Sequence, residues 1–131
     1  MYLSIDLGTT GCRSIIFDDK LKEISSSYSE YSLITGKNGI VEQDANLWWE
    51  LTLKTSISAI EKSGVSAESI DGISISSQGI SVVPVDKNAN PLDNAISWLD
   101  TRAEKEAEHI KTDFGEEKIR AILRLPLLQQ T

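Results

Sequence analysis

The first apolar run, Tyr2-Leu3-Ser4-Ile5-Asp6-Leu7, has the length and makeup of a short strand, and it leads directly into Gly8-Thr9-Thr10-Gly11. That segment reads as a tight turn, its two glycines predicting backbone geometry that a Cβ would resist. Residues 13–17 include Ile15, Ile16 and Phe17, β-branched and aromatic types that suit a second strand. Asp18-Asp19-Lys20 turns the chain again, and residues 23–31 read as a third strand. Three strands joined by two turns predict an antiparallel meander. Residues 32–43 carry Gly36, Asn38 and Gly39 without sustained periodicity and read as a loop.

Asp44 then stands where a helix should begin, as its N-cap. Trp49, Leu53, Ile57 and Ile60 recur at spacings of four, four and three, which predicts one apolar face packed on the sheet and a helix end near Ser63-Gly64. Trp48 and Trp49 cannot both face the core, so one packs and the other is available to a cleft. Ile70, Ile73 and Ile75 partly alternate with Asp71, Ser74 and Ser76, giving a fourth strand that opens into Ser76-Ser77-Gln78-Gly79. Residues 81–85 and 95–98 around the polar turn 86–91 predict a hairpin, and residues 101–111 a charged helix. A last helix over 116–125 stops before Pro126.

With 131 residues, 40% of them hydrophobic, the chain can bury one core but not the two domains of an enzyme that closes on its substrate. The net charge of −7, with no basic block, predicts neither nucleic acid nor an anionic membrane as partner. One cysteine, Cys12, forbids an internal disulfide, and with the single His109 it leaves too few ligands for structural zinc. Cys12 suits a small core position, and His109, among Glu104, Glu106 and Glu108, suits a solvated helix face. The N-terminus lacks the basic start and apolar stretch of a signal peptide, so a cytoplasmic location is expected.

The segment Asp6-Leu7-Gly8-Thr9-Thr10-Gly11-Cys12-Arg13 carries the most chemistry. Backbone N–H groups of a glycine turn can approach phosphoryl oxygens, the two hydroxyls add hydrogen bonds, Arg13 balances charge, and Asp6 can hold Mg2+. On the residues alone, an ordinary hairpin turn with a solvent-facing aspartate fits equally well. A P-loop is excluded, because the Gly-Lys-Ser/Thr ending is absent and the turn enters a strand.

The same segment resembles the first phosphate motif of the sugar-kinase, actin and heat-shock-ATPase superfamily. Glu42-Gln43-Asp44 with Trp48-Trp49, Ser76-Ser77-Gln78-Gly79, and Trp98-Leu99-Asp100-Thr101-Arg102 follow in the order and approximate spacing of the FGGY carbohydrate kinases, particularly xylulokinase-like members. The resemblance implies an α/β, ribonuclease-H-like (actin/hexokinase-type) mixed sheet with flanking helices, here incomplete. It implies ATP and Mg2+ as cofactors, with Asp6 organising the metal and Gly8, Thr9, Thr10, Gly11 and Arg13 around the γ-phosphate. Gln78 and Gly79 would border the sugar pocket, Trp98 would line it, and Asp100 and Arg102 would shape its floor. Trp98 as plain core, and Asp100 with Arg102 as a surface ion pair, are the competing readings. After the matching glutamine, xylulokinases usually place Met-His and glycerol kinases Arg-Glu; Gly79-Ile80 offers neither charge nor imidazole.

A catalytic base and an adenosine site cannot be matched in this sequence and are expected beyond Thr131. Residues 1–131 are therefore expected to be the N-terminal part of the first kinase lobe, or a degenerate gene product, with the second lobe absent. The expected activity of the parent protein is transfer of the ATP γ-phosphoryl group to a sugar hydroxyl, with xylulose or a related ketose or polyol favoured. The alternative is a non-catalytic sugar- or phosphate-binding module. The core also expects a fifth strand, so an uncovered sheet edge is expected to meet the rest of the kinase chain or a second copy.

Overall fold

The computed structural model describes residues 1–123. Period-two alternation organises its main sheet. In β1 (Tyr2–Leu7) Leu3 and Ile5 turn inward while Tyr2 and Asp6 stay exposed, and in β2 (Gly11–Phe17) Cys12, Ser14 and Ile16 are buried while Arg13 is exposed. β1 and β2 pair antiparallel with Leu3 opposite Ile16 and Leu7 opposite Cys12, so the inward sets share one face. β3 (Glu23–Glu30) continues the predicted meander on β2, with an irregular register at Ile16/Phe17.

Residues 32–43 are not a plain loop. They hold β4 (Ile34–Thr35), a single 3-10 turn at Lys37–Gly39 and β5 (Val41–Gln43). β5 lies between β4 and β7 (Ala95–Ile96) in a second, three-stranded sheet. The expected hairpin of 81–85 with 95–98 is accordingly reduced to single bridges, Val82 with Ile96 and Val85 with Pro91. Strands of two or three residues leave no period to read, and β5 takes one of its two neighbours, β7, from chain some fifty residues further on.

α1 (Ala45–Ser63) starts as predicted, with Asp44 Oδ1 accepting from the N–H groups of Asn46 and Leu47 at 2.8 and 3.4 Å. It ends at Gly64, which takes the left-handed conformation, φ 70°. Its expected packing face is corrected. Leu51, Thr55 and Ala59 are buried against the sheet, with Leu47, Trp48 and Ile60 beside them, whereas Trp49 is 66% exposed and Leu53 and Ile57 also face outward. The inward face of the sheet explains the choice, since beside Leu3, Ile5 and Ile16 it presents the small polar groups of Cys12 and Ser14, which need partners on the helix. Thr55 Oγ1 lies 2.8 Å from Ser14 Oγ and 3.5 Å from Cys12 Sγ, and Ser25 Oγ donates to Ala59 O at 2.6 Å. Leu51 joins the apolar cluster while the Thr55 hydroxyl satisfies the Ser14 and Cys12 groups, which an apolar Leu53 or Ile57 could not do.

β6 (Gly72–Ser77), the predicted fourth strand, pairs parallel with β1 and completes the order β3-β2-β1-β6. Among the described residues β6 pairs only with β1, so its outer edge is free and Ile73 and Ile75 are exposed. α2 (Glu104–Phe114) and α3 (Glu116–Leu123) follow, broken by Gly115 at φ 77°, and Ile119 is the buried residue of α3. His109 lies exposed on α2. The expected end of the last helix, at 125, lies outside the described residues.

Candidate functional site: a clamped glycine turn beside the tryptophan motif

β1 and β2 deliver the two ends of the Gly8–Gly11 turn, which closes through Gly8 N–H donating to Gly11 O at 2.9 Å. Neither glycine has a positive φ, which corrects the expected reason for them. Gly11 is needed for space: a Cβ there would strike the Tyr28 ring and lie 2.7 Å from Ser29 O. At Gly8 a Cβ would meet only Gly11 O, at an ordinary 3.4 Å.

Four residues from outside the hairpin hold this turn. The Tyr31 hydroxyl donates to Gly8 O, and Tyr31 N–H donates to Thr10 O at 3.2 Å. Burial, with smaller contributions from Cys12, Tyr28 and Asp6, pushes the Tyr31 phenol up to about 12, so it stays a donor through neutral pH. Gln43, on β5 and 1% exposed, donates from Nε2 to Thr9 O at 2.8 Å. Trp98 Nε1 donates to Thr9 Oγ1 at 3.0 Å. Gln78 N–H donates to Leu7 O at 2.8 Å, extending the β1–β6 ladder, and its Nε2 donates to Gln43 Oε1 at 2.9 Å. Thr9, Gln78 and Trp98, assigned from sequence to phosphate and sugar sides, are thus neighbours in one hydrogen-bonded group.

Asp6 and Arg13 are cross-strand partners, and Asp6 also pairs with Ser76, so these side chains share the sheet face opposite α1. Both Asp6 and Arg13 are exposed, and the Arg13 guanidinium lies 5.5 Å from the Tyr28 ring centroid. Among the described residues no three His, Cys, Asp or Glu side chains converge on a common metal position. Asp6 is a lone carboxylate, which fits Mg2+ only where phosphate oxygens and water supply the other ligands, the usual arrangement for that ion.

Asp100 and Arg102 bond to each other. Arg102 Nε lies 2.9 Å from both Asp100 oxygens, and Nη2 reaches Asp100 Oδ2 at 2.7 Å and Glu42 Oε1 at 2.6 Å. Val41 N–H donates to Asp100 Oδ2 at 2.8 Å, and Asn94 Nδ2 donates to Glu42 Oε2 at 3.0 Å. Hydrogen bonds from Arg102, aided by the Val41 and Arg102 amides, hold the 4%-exposed Asp100 down at about 2 against its burial. Arg102 is raised by Asp100 and Glu42, and Glu42 is lowered by Asn94 and Arg102. The cluster ties the segment after β7 to β5, and so carries Trp98 and Gln43 together.

Gly79 and Ile80 follow Gln78 in the open. A Cβ at Gly79 would touch nothing within 4 Å, while Ile80 is exposed with φ 71°, a strained value for a β-branched residue. The sequence reading did not single out Tyr31 or assign Gln43 a role. The available signal for Gln43 was its place between two acids in Glu42-Gln43-Asp44, on a strand too short to recognise.

A parallel-plus-antiparallel sheet backed by a helix, with a glycine turn at the end of its first strand, is the architecture of the actin/hexokinase-like sugar kinases. The profile described as the FGGY family of carbohydrate kinases, N-terminal domain, matches residues 1–131, and the chain belongs to that family. Glycerol kinase 2 of Streptomyces coelicolor is 34% identical over 125 residues, covering 95% of this chain and 24% of that protein. Glycerol kinase of Sinorhizobium fredii is 39% identical over 110 residues, covering 83% of this chain and 22% of its own. The crystal structure of a xyloylose kinase from Brucella ovis superimposes with a TM-score of 0.88 at 25% identity, over 98% of this chain and 26% of the other. The chain spans about a quarter of the length of the curated relatives it matches.

Proposed function

We propose that residues 1–131 form the N-terminal part of the first lobe of a cytoplasmic, ATP-dependent kinase that transfers the γ-phosphoryl group to a hydroxyl of a small polyol or ketose. The observation that carries the reading is the direct bond from Trp98 to Thr9, which brings a residue assigned to the sugar into contact with the turn assigned to the phosphate. Thr9, Thr10 and the turn amides would bind and orient the phosphoryl oxygens, and Arg13 would offset their charge. Trp98 would offer an apolar wall to the carbon face of the substrate, with Gln78 beside it. Asp6 is the residue that would hold Mg2+, which when bound shields the phosphate charge.

The relatives bearing the name glycerol kinase, at 34% and 39% identity, weigh glycerol ahead of xylulose as substrate. The rest of the polyol contacts, the base and the adenosine site would come from other parts of the kinase chain, with the free edge of β6 as a junction to it. In-line alignment of two bound substrates supplies much of the rate, so these 131 residues alone would turn over no sugar. The test is ADP formation from Mg-ATP by the full-length kinase against glycerol, xylulose and gluconate. Glycerol-dependent turnover supports the reading; binding of these compounds with no turnover of any supports a binding module instead.

A further inference from the structure

The bond from Gln43 to Thr9 has only one possible sense, because a backbone carbonyl accepts and never donates. Gln43 must therefore turn its Nε2 toward Thr9 O, at 2.8 Å, and its Oε1 toward Gln78 Nε2, at 2.9 Å. That polarity passes one step further, since the Gln78 amide is then oriented with its Oε1 as the remaining acceptor, which is buried and has no partner among the described residues. At 1% exposure, Gln43 has no room for the opposite orientation to be rescued by solvent. One buried carboxamide thus fixes a carbonyl of the turn and the orientation of the Gln78 amide.

We propose that Gln43 is a positioning residue: by bonding Thr9 and Gln78 at once it holds the phosphate turn in register with the sugar-side glutamine. The inference rests on the reading of Thr9 as a phosphate contact and Gln78 as a sugar-side residue. Gln43 touches neither reactant itself and acts through those two residues. Substituting it therefore lowers the rate of the bound complex rather than the occupancy of either site.

Two measurements test it. In 15N NMR of the present chain, Gln43→Leu is expected to displace the amide signals of Gly8 to Gly11 and to free the Gln78 carboxamide, while β3 signals remain in place. Gln78→Leu should leave the Thr9 amide unmoved. In the full-length kinase, Gln43→Leu is expected to lower kcat at least about tenfold with both KM values within about threefold. Gln43→Glu keeps an acceptor for Gln78 but sets oxygen against the Thr9 carbonyl, so its kcat should stay low. Turn amides that remain at wild-type shifts in Gln43→Leu overturn the inference, and so does a variant with a lowered melting temperature but wild-type kcat. If the wild-type kinase phosphorylates no polyol or sugar, the function reading fails instead, and the NMR shifts alone decide whether Gln43 holds the turn.

Discussion

Trp98 Nε1 donates to Thr9 Oγ1 at 3.0 Å, joining the segment after β7 to the first turn of the chain. An indole can only donate, so the Thr9 oxygen is the acceptor and its own proton remains available for a further bond. Under the proposed function Trp98 would have two separable roles, a ring for the substrate and an N–H for Thr9. In the full-length kinase Trp98→Phe should keep the sugar KM within about threefold while kcat falls about three- to tenfold, the scale of one lost hydrogen bond. Trp98→Ala should raise the sugar KM as well. Steady-state kinetics check both, and an unchanged kcat in Trp98→Phe would show that the bond to Thr9 is incidental.

The Asp100–Arg102–Glu42 cluster predicts acid sensitivity of defined sign. The Asp100 carboxyl is lowered from its ordinary 3.8 to about 2, chiefly by Arg102. Its stabilisation is therefore complete above about pH 4 and disappears as pH falls toward 2; the lowered Glu42 acts in the same direction. Asp100→Asn should cost about 1–3 kcal/mol at pH 7 by weakening a charge-assisted bond. Thermal melts from pH 7 to pH 2 should show the gap between variant and wild type closing below about pH 4. A gap that stays constant over that range would mean the ion pair contributes nothing beyond its shape.

Ile80 stands with φ 71° immediately after Gln78 and Gly79, and it is exposed, so little packing offsets the strain. Ile80→Gly should raise stability by about 1 kcal/mol, the relief of a left-handed β-branched residue less the entropy of glycine in the unfolded chain. The urea midpoint measures it. A lower midpoint would mean that the Ile80 side chain makes contacts worth more than its strain.

The β1–β2–β3 meander, the Asp44 cap, α1 and β6 were legible because each carries its signal locally, as alternation, a capping residue or a β-branched run. The packing face of α1 was not legible. Its apolar spacing at Trp49, Leu53 and Ile57 is genuine, but which stripe is buried depends on the partner, and here Cys12 and Ser14 bond to Thr55 while Leu51 and Ala59 join the core in their place. The second sheet was invisible for a related reason: β5 has three residues and β7 two, and what defines them is their pairing. For the site, sequence resemblance picked out Thr9, Gln78 and Trp98, which the fold brings together. Gln43, which bonds Thr9 and Gln78, went unassigned because its role exists only once β5 is in place.

Under the proposed function the turn after β1 faces a transferred phosphate, with the exposed Asp6 as the residue toward its metal. The most direct measurement is kcat of full-length Asp6→Asn with Mg-ATP and glycerol or another accepted polyol, alongside the sugar affinity by calorimetry. At least a hundredfold loss of turnover is expected, about 2.7 kcal/mol of barrier, with sugar affinity nearly unchanged, because a neutral amide is a poor ligand for the cation. A loss of less than about tenfold, or a parallel loss of sugar affinity, would contradict it and leave Asp6 a residue of the turn alone.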